Sequence, residues 1–168
     1  MNYQVSIELA ASPEKVFPYV AEPQARQAWM QRGFGSRYTK LTTEFPNGFD
    51  ETKPVGTKFI DLVSTTYNQA VTRYPGEILR YSKPTLFEFR SEVPFGPTYG
   101  NRRASPTRTV TRVLFMLEPT GSGGTKLTWE MEDETVKSFG PLSPIFRFML
   151  QNFMRYCLRP LRKLVETK

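Results

Sequence analysis

The side chains able to do chemistry in this chain are few, and what is missing narrows them further. There is no histidine, which removes the commonest general base, the Ser–His and Cys–His dyads and the commonest metal ligand. Cys157 is the single cysteine. It forms no internal disulfide, and a zinc site is close to excluded. No metal and no cofactor is expected. Acid–base work would fall to Asp61, Glu77, Arg73, Tyr74 and Thr111, and no spacing among them singles out a pair. Asp61 shares a strand face with Phe59, and Arg73 lies on the next strand. The two would form a buried ion pair, or one or both would sit in solvent. Thr109 and Thr111 share the face of Val113 and Phe115. Their hydroxyls would orient a carbonyl or hydroxyl group, or meet water at an open rim.

The run from Pro94 to Pro106 is longer than a hairpin needs. Long loops in compact domains often act as lids or binding loops. Phe95 and Tyr99 would then cover a cavity mouth, and Arg102 or Arg103 would meet an anionic head group. The plainer alternative is a surface loop.

The elements that must position these residues follow from periodicity. Residues 2–9 alternate, with Val5, Ile7 and Leu9 on one face and Gln4, Ser6 and Glu8 on the other, the pattern of a half-buried strand. Ser12-Pro13-Glu14 opens a helix, with Ser12 as the cap and Pro13 at the first helical position. Pro18 and Pro23 are expected to keep it short, and a second short helix is expected from about Gln24 to Met30. Strand patterns follow at about 34–45, 56–66, 70–82, 86–93, 107–118 and 125–134, separated by turn residues. The clearest hairpin joins Val113, Phe115 and Leu117 to Leu127, Trp129 and Met131 through Thr120-Gly121-Ser122-Gly123-Gly124.

Ser143-Pro144 starts the last helix, which is expected to reach Glu166 and to span about 34 Å. Its apolar face (Ile145, Phe146, Met149, Leu150, Phe153, Met154, Cys157, Leu158, Leu161 and Leu164) is wider than a surface helix needs. Gln151, Arg155, Arg159, Arg162 and Glu166 form its wet face. Pro160 lies in the apolar arc, leaves the Tyr156 carbonyl without its helical donor and should bend the helix.

The 168 residues suit one domain, 1–168, and 39% hydrophobic and 23% charged residues describe a globular chain. Aromatic residues reach 14%, enough for a bulky core or a ring-lined pocket. No stretch approaches the ~20 apolar residues of a membrane span. No signal peptide is visible at Met1-Asn2-Tyr3-Gln4, so a cytoplasmic location is expected. Net charge is +7. Residues 1–90 carry 11 Lys/Arg against 9 Asp/Glu and residues 91–168 carry 12 against 7. The basic excess solubilises the surface, or favours peripheral contact with an anionic membrane. No nucleic-acid motif is present, and the sequence does not address oligomeric state.

Several strings, in order, carry a resemblance: Ala11-Ser12-Pro13-Glu14-Lys15-Val16-Phe17 after the first strand, Trp29, Pro54-Val55-Gly56-Thr57-Lys58-Phe59, Tyr74-Pro75-Gly76-Glu77-Ile78, Leu117-Glu118-Pro119 and Gly124-Thr125-Lys126-Leu127-Thr128-Trp129. Over nearly its whole length the chain resembles the START-like or SRPBCC superfamily, most closely its bacterial polyketide cyclase/dehydrase and lipid-transport-like members. The resemblance implies an α+β helix-grip fold: a curved seven-stranded antiparallel sheet, two short helices and a long C-terminal helix across it. It also implies a ligand cavity between sheet and helix. Phe59, Phe87, Phe89, Phe115, Leu117, Trp129 and Met131 would point into it with Thr109 and Thr111, faced by Phe146, Met149, Leu150 and Phe153. The superfamily includes lipid carriers, hormone-binding proteins, cyclases and coenzyme-Q-binding proteins, so fold does not settle function. The expected function is binding or transport of a hydrophobic small molecule (a lipid, isoprenoid or polyketide-like compound). The alternative is a cyclase or dehydratase-type enzyme using non-histidine acid/base residues.

Overall fold

The computed structural model describes residues 2–33, 39–65, 71–95, 107–133 and 143–167. The order is β1 (Asn2–Leu9), α1 (Pro13–Ala21), α2 (Pro23–Gly33), β2 (Thr39–Glu44), β3 (Lys58–Thr65), β4 (Val71–Ser82), β5 (Leu86–Phe95), β6 (Thr107–Pro119), β7 (Thr125–Asp133) and α3 (Ser143–Glu166). The strands form one antiparallel sheet in the order β1-β7-β6-β5-β4-β3-β2. This is the α+β helix-grip arrangement.

Local chemistry explains most element boundaries, with some departures from expectation. Ser12 precedes α1 in an extended conformation but makes no side-chain cap bond. Its hydroxyl, close to the Glu14 carboxylate, helps hold the pKa of that group below its ordinary value. Pro18 does not interrupt α1, which runs on to Ala21. A proline one turn into a helix forfeits only one early backbone bond. Pro23 opens α2 rather than blocking it. In the β6–β7 hairpin, Gly123 adopts φ +79°, and its N–H donates to the Thr120 carbonyl at 3.0 Å. Few residues but glycine take that conformation without strain.

The core lies between the concave sheet face and the helices. Phe17 and Val20 of α1, Trp29 of α2 and Met154, Cys157, Leu158, Leu161 and Val165 of α3 bury against Phe59, Phe87, Phe115, Leu117, Leu127 and Trp129. Trp29 meets Trp129 and Phe115 edge-on, at 6.0 and 6.3 Å between ring centroids.

Both sheet edges are sealed by side chains from helices. Gln151 Nε2 donates to the Gln4 carbonyl at 3.3 Å, Arg162 Nη2 donates to the Glu8 carbonyl at 2.8 Å, and the Ala10 N–H donates to Glu166 Oε1 at 3.0 Å. Three members of the expected wet face of α3 therefore cover the free edge of β1. At the other edge the Gln27 amide of α2, in the orientation that satisfies both of its ends, donates to the Leu41 carbonyl at 3.2 Å and accepts from the Thr43 N–H at 3.0 Å. Uncovered edges invite pairing with other chains.

Candidate functional site

Strand alternation divides the concave face into a packed end and an open end. Cross-strand register sets Phe87 opposite Phe115, and Phe115 opposite Trp129. Further along, Val113 stands opposite Phe89 and Met131, Ser91 opposite Thr111, and Asp61 opposite Tyr74. The rings at the first end interlock with α1 and α2. Toward the second end the side chains shorten, and a cavity of about 420 Å³ opens there. That lies above the ~300 Å³ lower end of small-molecule sites.

The cavity wall is mainly apolar. β6 and β7 give Val113, Phe115, Trp129 and Met131, β5 gives Phe89, β2 and β3 give Leu41 and Val63, and the helices give Met30, Phe153 and Met154. Asp61, Tyr74, Ser91 and Thr111 are its polar members. Methionines let such a wall adapt to the shape of what it meets.

One charged cluster anchors the polar side. Arg26 of α2 is only 3% exposed, and its Nη2 donates to Asp61 Oδ1 at 3.2 Å. Thr43 Oγ1 donates to the same carboxylate oxygen. The guanidinium lies 5.0 Å above the Phe89 ring and 5.7 Å above that of Phe59, so aromatic faces replace part of its hydration. The partner of Asp61 is thus Arg26 and not Arg73. In the β3–β4 register Arg73 is paired with Leu62 and Asp61 with Tyr74, which sends Arg73 to the opposite sheet face, where it is exposed. Glu77 is also outside, paired with Lys58 at 2.7 Å and Arg90 at 2.5 Å. Burial pushes the Tyr74 phenol above its ordinary value, so it stays a neutral hydrogen-bonding group. Among the described residues two buried donors, Arg26 Nε and Trp129 Nε1, have no hydrogen-bond partner.

Of the side chains expected to line a cavity, Phe89, Thr111, Phe115, Trp129, Met131 and Phe153 do so. Phe59, Phe87 and Leu117 are buried in the packed end and are not among the lining residues. Leu150 is half-buried against the core. Met149 is 60% exposed, because it lies on the outer side of α3. The side chains of Phe95, Thr109 and Phe146, and all of Tyr99, Arg102 and Arg103, lie outside the described residues. Sequence reasoning passed over Ser91 and Met30. It also missed Arg26, for which α2, with no clear apolar face, offered no signal. Among the described residues no three metal-ligating side chains come together, and no helix is long and apolar enough to cross a membrane.

Comparison with known proteins agrees with this architecture. A crystal structure from Mesorhizobium loti matches 99% of this chain and 97% of its own, with 17% identity and a TM-score of 0.62. One from Chromobacterium violaceum matches 99% and 98%, with 15% identity and a TM-score of 0.63. A solution structure from Arthrobacter aurescens matches 98% and 85%, with 15% identity and a TM-score of 0.64. At these identities the likeness is one of fold. No curated protein matches the sequence. Residues 1–166 match the family described as polyketide cyclase / dehydrase and lipid transport, and the chain belongs to that family.

Proposed function

We propose that the chain binds a hydrophobic small molecule, of lipid, isoprenoid or polyketide type, between the sheet and α3. The observation that carries this reading is the about 420 Å³ space with an apolar wall and a few polar groups gathered on β3 to β6. An apolar body would sit against Phe115, Trp129, Met131 and Met154. A hydroxyl or carbonyl would meet Tyr74, Ser91 or Thr111. Because Arg26 and Asp61 neutralise each other, the polar side suits an uncharged group better than an anion. The single buried Cys157 suits a reducing compartment, in keeping with a cytoplasmic binder.

Titration of the purified chain with Nile red tests the reading. Val113→Phe and Ser91→Phe fill the cavity from two different strands. Each should weaken dye binding at least about tenfold while the thermal midpoint shows a folded chain. Folded variants that bind as tightly as the parent would overturn it.

A second reading, a cyclase or dehydratase, is favoured by one observation: Asp61 and Tyr74 face each other across β3 and β4 and both line the cavity. Asp61 would be the base and Tyr74 the acid. Asp61 is already engaged by Arg26 and Thr43, which ranks this reading second. If a polyketide-type substrate is turned over, Asp61→Asn should slow it at least about a hundredfold. An unchanged rate would remove Asp61 from the chemistry.

A further inference from the structure

The fold covers only part of the apolar surface of α3. Met154, Cys157, Leu158, Leu161 and Val165 are buried, but Phe148 is 65% exposed and Met149 60%, with Ile145 and Tyr156 also in solvent and Phe153 37% exposed. At 100° per residue these five side chains fall in one stripe about 140° wide along the outer side of the first turns. Exposed apolar side chains gathered this way mark an interaction surface. The charges around them are of one sign. Arg147, Arg155, Arg159 and Lys163 are exposed on the same helix. Its one acidic residue, Glu166, stands at the far end and accepts the Ala10 N–H.

We propose that this outer face of α3 docks on an anionic lipid bilayer. Phe148, Met149, Ile145 and Tyr156 would enter the boundary between head groups and acyl chains. Arg155, just beside the stripe, and Arg159 and Lys163, in line with it further along the helix, would meet lipid phosphates. The charge pattern favours this occupant over a second copy of the chain. A two-fold interface on this stripe would bring together two molecules that each carry +7. Nucleic acid would satisfy the arginines but would leave the exposed rings and Met149 without an apolar partner. The inference does not depend on what the cavity holds. Phe153, however, belongs to both the stripe and the cavity wall, so docking would bring a bilayer to the cavity's edge.

Co-flotation of the full chain with vesicles tests this. One set is phosphatidylcholine alone, and the other is equal parts phosphatidylcholine and phosphatidylglycerol. The anionic vesicles should bind the chain, and the neutral ones at least about tenfold more weakly. Phe148→Ser combined with Met149→Ser removes two solvent-facing side chains and should leave the fold intact by circular dichroism. It should weaken anionic binding at least about tenfold. Arg155→Gln combined with Arg159→Gln should weaken it roughly fivefold per arginine and flatten its salt dependence. The proposal is overturned by no binding to anionic vesicles, by equal binding to both sets, or by a folded double-serine variant that floats like the parent. Sedimentation showing a dimer that the double-serine variant abolishes would overturn it in favour of a self-interface.

Discussion

The ring of Phe59 occupies the space that a side chain on Gly76 would need. The two residues are directly opposed in the β3–β4 register. A Cβ on Gly76 would lie 2.3 Å from Phe59 Cζ and 2.8 Å from the Arg90 carbonyl oxygen. Phe59 then packs edge-on to Phe89 at 5.5 Å, and Arg26 rests on both rings. The absent side chain of Gly76 thus sets the floor on which the charged cluster of the cavity stands.

Gly76→Ala should therefore destabilise the chain although it adds only one methyl group. The Arg90 carbonyl is backbone of the neighbouring strand and moves only with the sheet. Overpacking of this kind costs about 1–3 kcal/mol. Urea unfolding should show a lower midpoint with an unchanged slope. An unchanged midpoint would mean that β4 and β5 yield more readily than their paired register implies.

Arg26 and Asp61 should prove strongly coupled but not strongly stabilising. Asp61→Leu leaves a guanidinium that is 3% exposed without its counter-charge, which costs about 3 kcal/mol or more. Arg26→Met leaves Asp61 with Thr43 and the cavity, at a similar or smaller cost. Replacing both, Arg26→Met with Asp61→Leu, should recover most of the loss, because a desolvated ion pair gains little over apolar packing. A double-mutant cycle in urea measures this coupling. Additive losses would show that the two groups do not depend on each other.

The strands and α3 were legible because their signals are local. Alternation marks the β6–β7 hairpin, and Ser143-Pro144 marks the start of α3 at the observed residue. Where the helix faces was less legible. An apolar arc shows which residues avoid water in principle, not how much surface the fold has to cover them with, and Ile145 and Met149 are left outside. In the cavity, alternation reaches Phe89, Thr111, Phe115 and Trp129 because they sit in apolar strands. Ser91 continues the series of Phe87 and Phe89 but reads as an ordinary polar residue. Arg26 was invisible for a different reason. Its burial depends on a carboxylate 35 residues further along the chain, and no local pattern encodes that meeting.

Glu88 should make stability depend on pH in a predictable direction. It alternates with Phe87 and Phe89, so it lies on the outer sheet face, yet it is fully covered by the Arg80 and Arg112 side chains that grip its two oxygens. Burial acts to raise its pKa, but hydrogen bonds and charge from Arg112 and Arg80 outweigh it and hold the carboxyl below the ordinary 4.5. A folded pKa below the unfolded one stabilises fully above the unfolded value and is lost as pH falls through the folded one. Glu88→Gln should thus cost about 2 kcal/mol at neutral pH. The gap between parent and variant should close below pH 4.5. A constant difference from neutral pH to about pH 3 would contradict the assignment.

Cys157 reports directly on the docking of α3. It is buried on the inner side of the helix, and burial pushes its thiol up to about 12. At pH 8 only roughly one molecule in ten thousand would carry the reactive thiolate, and that one would be inaccessible. A thiol reagent should therefore leave the native chain unlabelled over the time in which it labels the urea-unfolded chain completely. Labelling under native conditions then measures how often α3 leaves the sheet. Leu161→Ala, one turn further along the same buried face, removes packing worth about 2–5 kcal/mol. It should speed labelling by the factor that its measured loss of stability implies. Rapid labelling of the unmodified chain would show that α3 is not held against the sheet.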